Sequence, residues 1–178
     1  MKKLVFILCV FYCTHSFAEL NGDQKDACAA VLCLSSATGR SVSECQPALD
    51  RYFSINAKKW VDTLRQREDF LNLCPLDSMA NHGAFINDVN NGAGRCDAAT
   101  LNNALKESKT FEMCRPGRFG EETCTQIQKY RINNQLPGYC QNYINNQYTD
   151  FKLSYLGQST WQTAAEFSKK PDGQWFDN

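Results

Sequence analysis

The cysteines constrain this chain more than any other feature. The sequence has ten, and eight remain when Cys9 and Cys13 are set aside with the first 18 residues. The eight are Cys28, Cys33, Cys45, Cys74, Cys96, Cys114, Cys124 and Cys140. They could be reactive thiols, metal ligands or parts of a covalent framework. The compartment decides between these roles, because disulfides persist in oxidising compartments and are rare in the cytoplasm.

The amino terminus predicts export. Two basic residues, Lys2 and Lys3, precede an uninterrupted apolar run at residues 4–12, which is too short to span a bilayer. Ser16 and Ala18 then occupy the −3 and −1 positions that signal peptidase prefers. We therefore expect a signal peptide over residues 1–18, cleavage after Ala18 and a periplasmic product.

Lipoprotein processing at Cys13 is an alternative, but the bulky residues at positions 11 and 12 disfavour it. Cleavage after residue 18 leaves 160 of the 178 residues, without a second long apolar run. We therefore expect no integral membrane span after signal removal. The chain also lacks an N-x-S/T sequon, which favours a bacterial periplasmic protein.

Charge and length limit the partners and the domain count. Removing the two amino-terminal lysines leaves 17 basic against 19 acidic residues, a net charge of about −2. Such a chain has no electrostatic reason to bind nucleic acid. Its length suits a single domain over residues 19–170, followed by a polar tail at 171–178 that we expect to fray.

The hydrophobic pattern predicts an all-α fold with irregular Asn/Gly-rich loops, because few runs alternate with period two. Helices are expected at 25–36, 41–55, 57–73, 98–108, 121–135 and 156–167. Trp60, Leu64 and Leu71 would form the inner face of the third helix. The segment 76–100 is rich in Asn and Gly and is expected to be mainly loop.

The spacing of the cysteines and the scarcity of histidine argue against a metal or redox site. Disulfide oxidoreductases use a C-x-x-C pair, which the chain lacks, since Cys28 and Cys33 are the closest pair. Structural zinc sites need closely spaced cysteine pairs and often histidine, but His82 is the only histidine after residue 18. A calcium loop around Gly92 fails because Val89 falls on a ligand position. No cofactor and no metal ligand are expected.

A hydrolase acting on glycosidic bonds would need a carboxylic acid with a raised pKa. Glu121 and Glu122 stand at an expected helix start, where the helix dipole lowers a carboxyl pKa. Glu44 lies in a first turn as well. We therefore assign no catalytic residue, although the sequence does not exclude an enzyme.

One stretch resembles a known family. Residues 27–75 contain "LCLSS", "SEC.P.L.RYFSI" and "KKW.DTL..R..FLNLCP", with the cysteines inside these strings. This stretch closely resembles the TrbM/KikA/MpfK family of conjugal transfer proteins, over roughly the first third of the exported chain. The resemblance implies an exported accessory protein of plasmid conjugation, encoded with mating-pair formation (type IV secretion) genes. Its partners would be other conjugation or type IV secretion components.

Two alternatives stay open, a periplasmic hydrolase that acts on peptidoglycan and a host-toxic envelope protein. The eight cysteines are candidates for up to four structural disulfides, and 105 pairings are possible. We expect Cys33 to pair with Cys45, closing a helical hairpin across Gly39. Cys28 with Cys74 would tie the first helix to the end of the third.

Overall fold

A computed structural model describes residues 22–178 of the chain. The predicted signal peptide, with Cys9 and Cys13, lies outside the described residues.

Helices dominate the first half of the described chain. They are α1 (Gly22–Ser35), α2 (Gln46–Ser54), α3 (Trp60–Leu71), α4 (His82–Gly92) and α5 (Ala98–Ala104), with two short 3₁₀ turns at Gly39–Ser41 and Ser43–Cys45. The second half mixes strands and helices: β1 (Lys106–Pro116), β2 (Glu122–Ile132), α6 (Gly138–Asn145), β3 (Leu153–Gly157), β4 (Gln162–Thr163), α7 (Ala164–Lys169) and β5 (Gly173–Asp177). One antiparallel sheet has the order β1-β2-β4, and the other consists of β3 and β5.

The expectation of an all-α fold is wrong. The described chain is 46% helical and 22% strand, with two antiparallel sheets, so the fold is mixed α/β. The segment 121–135, expected to be a helix, contains β2, and the expected helix over 98–108 stops at Ala104 before β1 begins. Both strands are largely exposed. With water on both faces, a strand has no need for the apolar/polar alternation that would have revealed it.

The core starts from the close packing of α1 against α2 and α3. Ala27 and Ala30 are completely buried, and their small side chains let the neighbouring helices approach. From α2, Tyr52 is completely buried in the same cluster. Burial raises the pKa of Tyr52 to about 12, so its hydroxyl stays protonated at neutral pH. This hydroxyl lies 3.0 Å from the side-chain oxygen of Asn90, to which it donates a hydrogen bond.

The inner face predicted for α3 is only partly correct. Leu71 is completely buried, but Trp60 is about half exposed and Leu64 is partly buried. The residues that α3 buries are Thr63, Arg67, Phe70 and Leu71. Arg67 therefore faces the core, whereas hydrophobicity alone would place Trp60 there.

The Asn/Gly-rich segment expected to be loop contains α4. Phe85, Ile86 and Val89 share one face of this helix and are buried. Asn90 is buried beside them, and its amide donates a hydrogen bond to the carbonyl of Leu64 at 2.9 Å. The polar composition of α4 therefore reflects its exposed side and one satisfied amide, whereas its apolar residues cover the core.

All eight cysteines of the described chain form disulfides. The bonds join Cys28 to Cys74, Cys33 to Cys45, Cys96 to Cys140 and Cys114 to Cys124. The first two are the pairs expected from the sequence. The third connects α6 to the segment between α4 and α5, and the fourth crosses from β1 to β2. No thiol remains available among the described residues.

The carboxyl-terminal end is ordered, contrary to the expectation that it frays beyond Lys169. β5 pairs with β3, and Trp175 is only 5% exposed. The indole nitrogen of Trp175 donates a hydrogen bond to the carbonyl of Asn133 at 3.1 Å. The segment 171–178 therefore supplies part of the core.

Candidate functional site

The carboxylates considered for catalysis are exposed. Glu121 directly precedes β2, Glu122 is its first residue, and both are exposed, so the helix start expected there does not exist. Glu44 is exposed too, and hydrogen bonds from its own backbone and from Ser43 lower its pKa. A general acid needs a shift in the opposite direction. His82 is the first residue of α4.

One cluster has the composition of a metal site but not its chemistry. Glu112, Cys114 and Cys124 bring their ligand atoms within 4.8 Å of one another, and all three residues are exposed. However, both sulfur atoms belong to one disulfide. Zinc binds thiolate sulfur, so this cluster is no zinc site while the disulfide is intact.

The buried side chain of Arg67 explains part of the motif "KKW.DTL..R..FLNLCP". Arg67 is 8% exposed, and its guanidinium donates to the carbonyl of Ile55 at 3.1 Å and to that of Phe53 at 3.2 Å. The same group lies 4.9 Å from the ring centroid of Tyr52 and 5.6 Å from that of Trp60. These contacts hold the end of α2 against α3. Trp60 and Arg67 of this motif therefore have a structural role in the described chain.

The feature best placed to meet another molecule is the long hairpin of β1 and β2, residues 106–132, which we name the hairpin arm. Each strand has eleven residues, which corresponds to about 36 Å at about 3.3 Å per residue. The outer part of both strands is exposed. At the tip, Gly120 adopts a left-handed conformation with φ of 87°, and Phe119 is 91% exposed.

Among the described residues, pairing and ring contacts from other elements reach the hairpin arm from its base as far as Phe111. β4 pairs with β2 at Lys129 and Tyr130, and the ring of Phe167 from α7 lies 5.9 Å from that of Tyr130. On the opposite face, the ring of Trp161 contacts the ring of Phe111 at 5.5 Å. The outer part therefore depends on its own pairing and on the Cys114–Cys124 disulfide.

The two faces of the hairpin arm carry different charges. Side chains alternate along a strand, so Lys109, Phe111 and Arg115 share one face with Lys129 and Arg131 of β2. The ammonium groups of Lys109 and Lys129 each lie 5.4 Å from the ring centroid of Phe111. We call this the cationic face.

The carboxylate of Glu107, which lies on the cationic face, already has partners within the chain. Arg131 pairs with Glu107 at 2.8 Å, and hydrogen bonds from Arg131 and Asn133 lower the pKa of Glu107. The two lysines face each other across the strands. Like charges in that position destabilise a sheet, so their arrangement favours an anionic contact from outside.

A second open surface is an apolar groove beside the Cys28–Cys74 disulfide, with a cavity volume of about 480 Å³. Its lining includes Val31, Leu32, Leu76, Met79, Phe85 and Tyr148. Leu32 is 72% exposed, which is unusual for a leucine inside a helix that packs on a core. The groove holds few polar groups that could orient a small polar substrate.

A polar pocket of about 450 Å³ lies on the side of the molecule where Arg40 meets Asp97. Asp97 caps α5, with its carboxylate accepting from the backbone N–H of Thr100 at 2.9 Å. Arg40 lies 3.4 Å from the same carboxylate. Burial alone would raise the pKa of Asp97, but the Thr100 hydrogen bonds and the Arg40 charge outweigh it and lower the pKa.

The sequence did not reveal the hairpin arm or the groove. The signal that could have found the arm is the run of Thr, Ile and Tyr at 123–132, which favours a strand, preceded by a Pro-Gly turn. Among the described residues, no helix is long and apolar enough to cross a bilayer.

Comparison with known proteins gives one match. The model of the TrbM family matches residues 19–174. This match extends far beyond residues 27–75 and includes the hairpin arm. No curated protein and no solved structure matches the chain.

Proposed function

The chain belongs to the TrbM family and is therefore a conjugal transfer-associated protein, and we propose that it is an exported accessory factor of mating-pair formation. In this proposal it works in the periplasm, beside the type IV secretion apparatus, through protein–protein contacts.

Two features support export. The first is the signal-peptide pattern of residues 1–18. The second is the complete pairing of the described cysteines into four disulfides, which suits an oxidising compartment. An alkaline phosphatase fusion carrying residues 1–18 tests this step: activity is expected, and an inactive, uncleaved fusion would contradict it.

The hairpin arm is the observation that carries the proposed mode of action. Its disulfide joins two exposed residues, Cys114 and Cys124, and so fixes the shape of the arm without tying together parts of the core. Beyond this bond the tip presents Phe119, almost fully exposed. A rigid element with an exposed aromatic tip suits binding, because little conformational entropy is lost on contact.

The expected partner is a component of the conjugation apparatus with an acidic surface and an apolar pocket. The acidic surface would meet the cationic face, with Lys109, Arg115 and Lys129, and the pocket would take Phe119. Charge complementarity of this kind raises the association rate and the specificity.

The test is mating efficiency together with cross-linking. Phe119→Ser is expected to reduce transfer at least tenfold, because an exposed aromatic anchor is lost. Val61→Ser is the matched control, since Val61 is 67% exposed but lies on α3, away from the arm. A photo-cross-linker at position 119 should capture a transfer component. Wild-type transfer by the Phe119→Ser protein, with no cross-linked product, would overturn the proposed mode of action.

A further inference from the structure

The hydrogen-bond pattern of the hairpin arm identifies which backbone N–H and C=O groups of β1 do not bond to β2. At one end the N–H of Asn133 donates to the carbonyl of Leu105, and near the tip the N–H of Gly117 donates to Glu121. Antiparallel pairs exchange hydrogen bonds at every second residue. The odd-numbered residues of β1 therefore bond to β2. The even-numbered ones, Lys106, Ser108, Thr110, Glu112 and Cys114, direct their N–H and C=O groups to the open edge.

This edge of β1 is uncovered. Its even-numbered residues are exposed, and no residue that the structure describes donates to or accepts from their backbone outside the β1–β2 pairing. The outer side of β2 is covered near its base, where β4 pairs with Lys129 and Tyr130 and the carbonyl of Ile132 accepts from Tyr155 and Ser159. An open edge of this length is a template for another strand.

The sequence of β1 is complementary to itself. If two copies of β1 lie antiparallel and are centred on Phe111, Glu107 of each copy faces Arg115 of the other, and the two Phe111 rings are neighbours. Lys109 faces Met113, so no like charges oppose each other. The even-numbered residues then face one another, as the direction of their backbone groups requires.

Other registers fit less well. Centring on Lys109 places this lysine against its own copy, and centring on Glu112 brings Lys109 to Arg115. Centring on Thr110 removes the contact between Glu107 and Arg115. Opposite charges facing each other on neighbouring strands stabilise a sheet, and like charges destabilise it. The register centred on Phe111 is therefore favoured.

We propose that β1 pairs with β1 of a second copy of this chain, antiparallel and centred on Phe111, to form one continuous sheet across a symmetric dimer. Four even-numbered pairs would supply about eight main-chain hydrogen bonds. This inference goes beyond the proposed function, because the dimer needs no other component of the transfer apparatus. It uses the backbone edge of β1 together with Glu107, Phe111 and Arg115 of the cationic face, so only the tip residue Phe119 is particular to the proposed partner contact.

Sedimentation equilibrium of the purified protein tests the dimer. The wild type should show a concentration-dependent monomer–dimer equilibrium. Thr110→Pro should abolish it, since proline removes an N–H that points to the open edge and leaves the β1–β2 hydrogen bonds intact. Thr110→Ala is the matched control and should retain the dimer. Arg115→Glu should weaken dimerisation about tenfold, because Glu107 would then face a like charge.

Cross-linking tests the register. Phe111→Cys should give a disulfide-linked dimer joined at position 111, since this position lies on the two-fold axis. Met113→Cys, on the same face and strand, should not. A wild-type protein that stays monomeric up to about 0.5 mM, or a dimer that persists with Thr110→Pro, would overturn the proposal. Phe119→Ser should leave the dimer unchanged, so failure here is distinguishable from failure of the partner contact.

Discussion

At the residue scale, Arg67 shows how a charged side chain can hold helices together. Its guanidinium is buried without a carboxylate within 4.0 Å among the described residues. Two backbone carbonyls and the aromatic faces around it replace that partner. The carbonyls belong to the end of α2, where few main-chain donors remain. The arginine thus satisfies backbone groups that would otherwise be buried unpaired.

Replacing Arg67 with methionine should lower the free energy of unfolding by about 2–4 kcal/mol. Methionine fills a similar volume but donates nothing to the carbonyls of Phe53 and Ile55. Urea unfolding with the disulfides intact measures the change. Arg65→Met is the control, because Arg65 is exposed and pairs with Asp62 on the same helix, a contact worth less than about 0.5 kcal/mol. Equal midpoints for the two variants would contradict the assigned role.

Asp97 gives the fold a dependence on acid pH. Burial would raise its pKa, but hydrogen bonds from Thr100 and the charge of Arg40 outweigh this and lower the pKa in the folded protein. A carboxyl group with a lowered pKa stabilises the fold fully above its unfolded pKa and progressively less as the pH falls through the folded value. We therefore expect the contribution of Asp97 to be constant at neutral pH and to decline progressively as the pH falls below about 4.

Asp97→Asn tests this expectation. The amide oxygen can still accept from Thr100, but the charge that faces Arg40 and the start of α5 is lost. The variant should be less stable by about 1 kcal/mol at pH 7, and the difference should shrink as the pH falls below about 4. Thermal unfolding from pH 7 to pH 2.5 provides the measurement, with Asp50→Asn as an exposed control. A difference that stays constant over this range would contradict the assignment.

At the element scale, the disulfide of the hairpin arm differs in exposure from the disulfides of the core. Cys96 and Cys140 are at most 1% exposed, whereas Cys114 and Cys124 are exposed on the hairpin arm. Since exchange requires a thiolate to reach a sulfur atom, limiting reductant should open the Cys114–Cys124 bond first. Brief reduction, alkylation and peptide mapping should therefore label these two cysteines before the others. Earlier labelling of Cys96 or Cys140 would contradict the expected order.

The loss of the arm disulfide should have local consequences. Replacing both Cys114 and Cys124 with serine should shift the thermal midpoint by only a few degrees, since neither side chain contributes to the core. Hydrogen exchange in residues 106–132 should become faster, because no strand pairing or ring contact from another described element reaches the arm beyond Phe111. The double replacement at Cys96 and Cys140 is the matched comparison and should cost about 4 kcal/mol. Similar losses from the two double variants would show that the arm and the core unfold together.

The elements also show what the sequence could reveal. The helices that bury an apolar face, α1 and α2, were predictable, and the two disulfides that join them to their surroundings followed from the same pattern. The hairpin arm was not predictable by alternation, because water meets both of its faces. In α4, the polar residues hid an apolar face formed by Phe85, Ile86 and Val89. The arm, which is the candidate functional element, therefore carried a weak sequence signal.

At the scale of the whole molecule, β5 packs against β3 and α5. Trp175 of β5 contacts Tyr155 edge-to-face at 5.2 Å. Asn102 of α5 binds its backbone twice, accepting from the N–H at 2.7 Å and donating to the carbonyl at 2.9 Å. Asp177 accepts from the N–H of Ala98 at 2.9 Å. The carboxyl terminus therefore fastens α5, from which the hairpin arm leaves the body.

This arrangement makes the position of the arm depend on a residue far away in sequence. Trp175→Ala should lower the free energy of unfolding by about 3–5 kcal/mol, because a large buried side chain is removed. Phe176→Ala is the matched control: Phe176 is the next residue on β5 but is 38% exposed, and its loss should cost less than about 1 kcal/mol. Urea unfolding with intact disulfides compares the two, and hydrogen exchange should accelerate at the start of β1 only in Trp175→Ala. If Trp175→Ala unfolds at the same urea concentration as Phe176→Ala, the last strand does not hold the base of the arm.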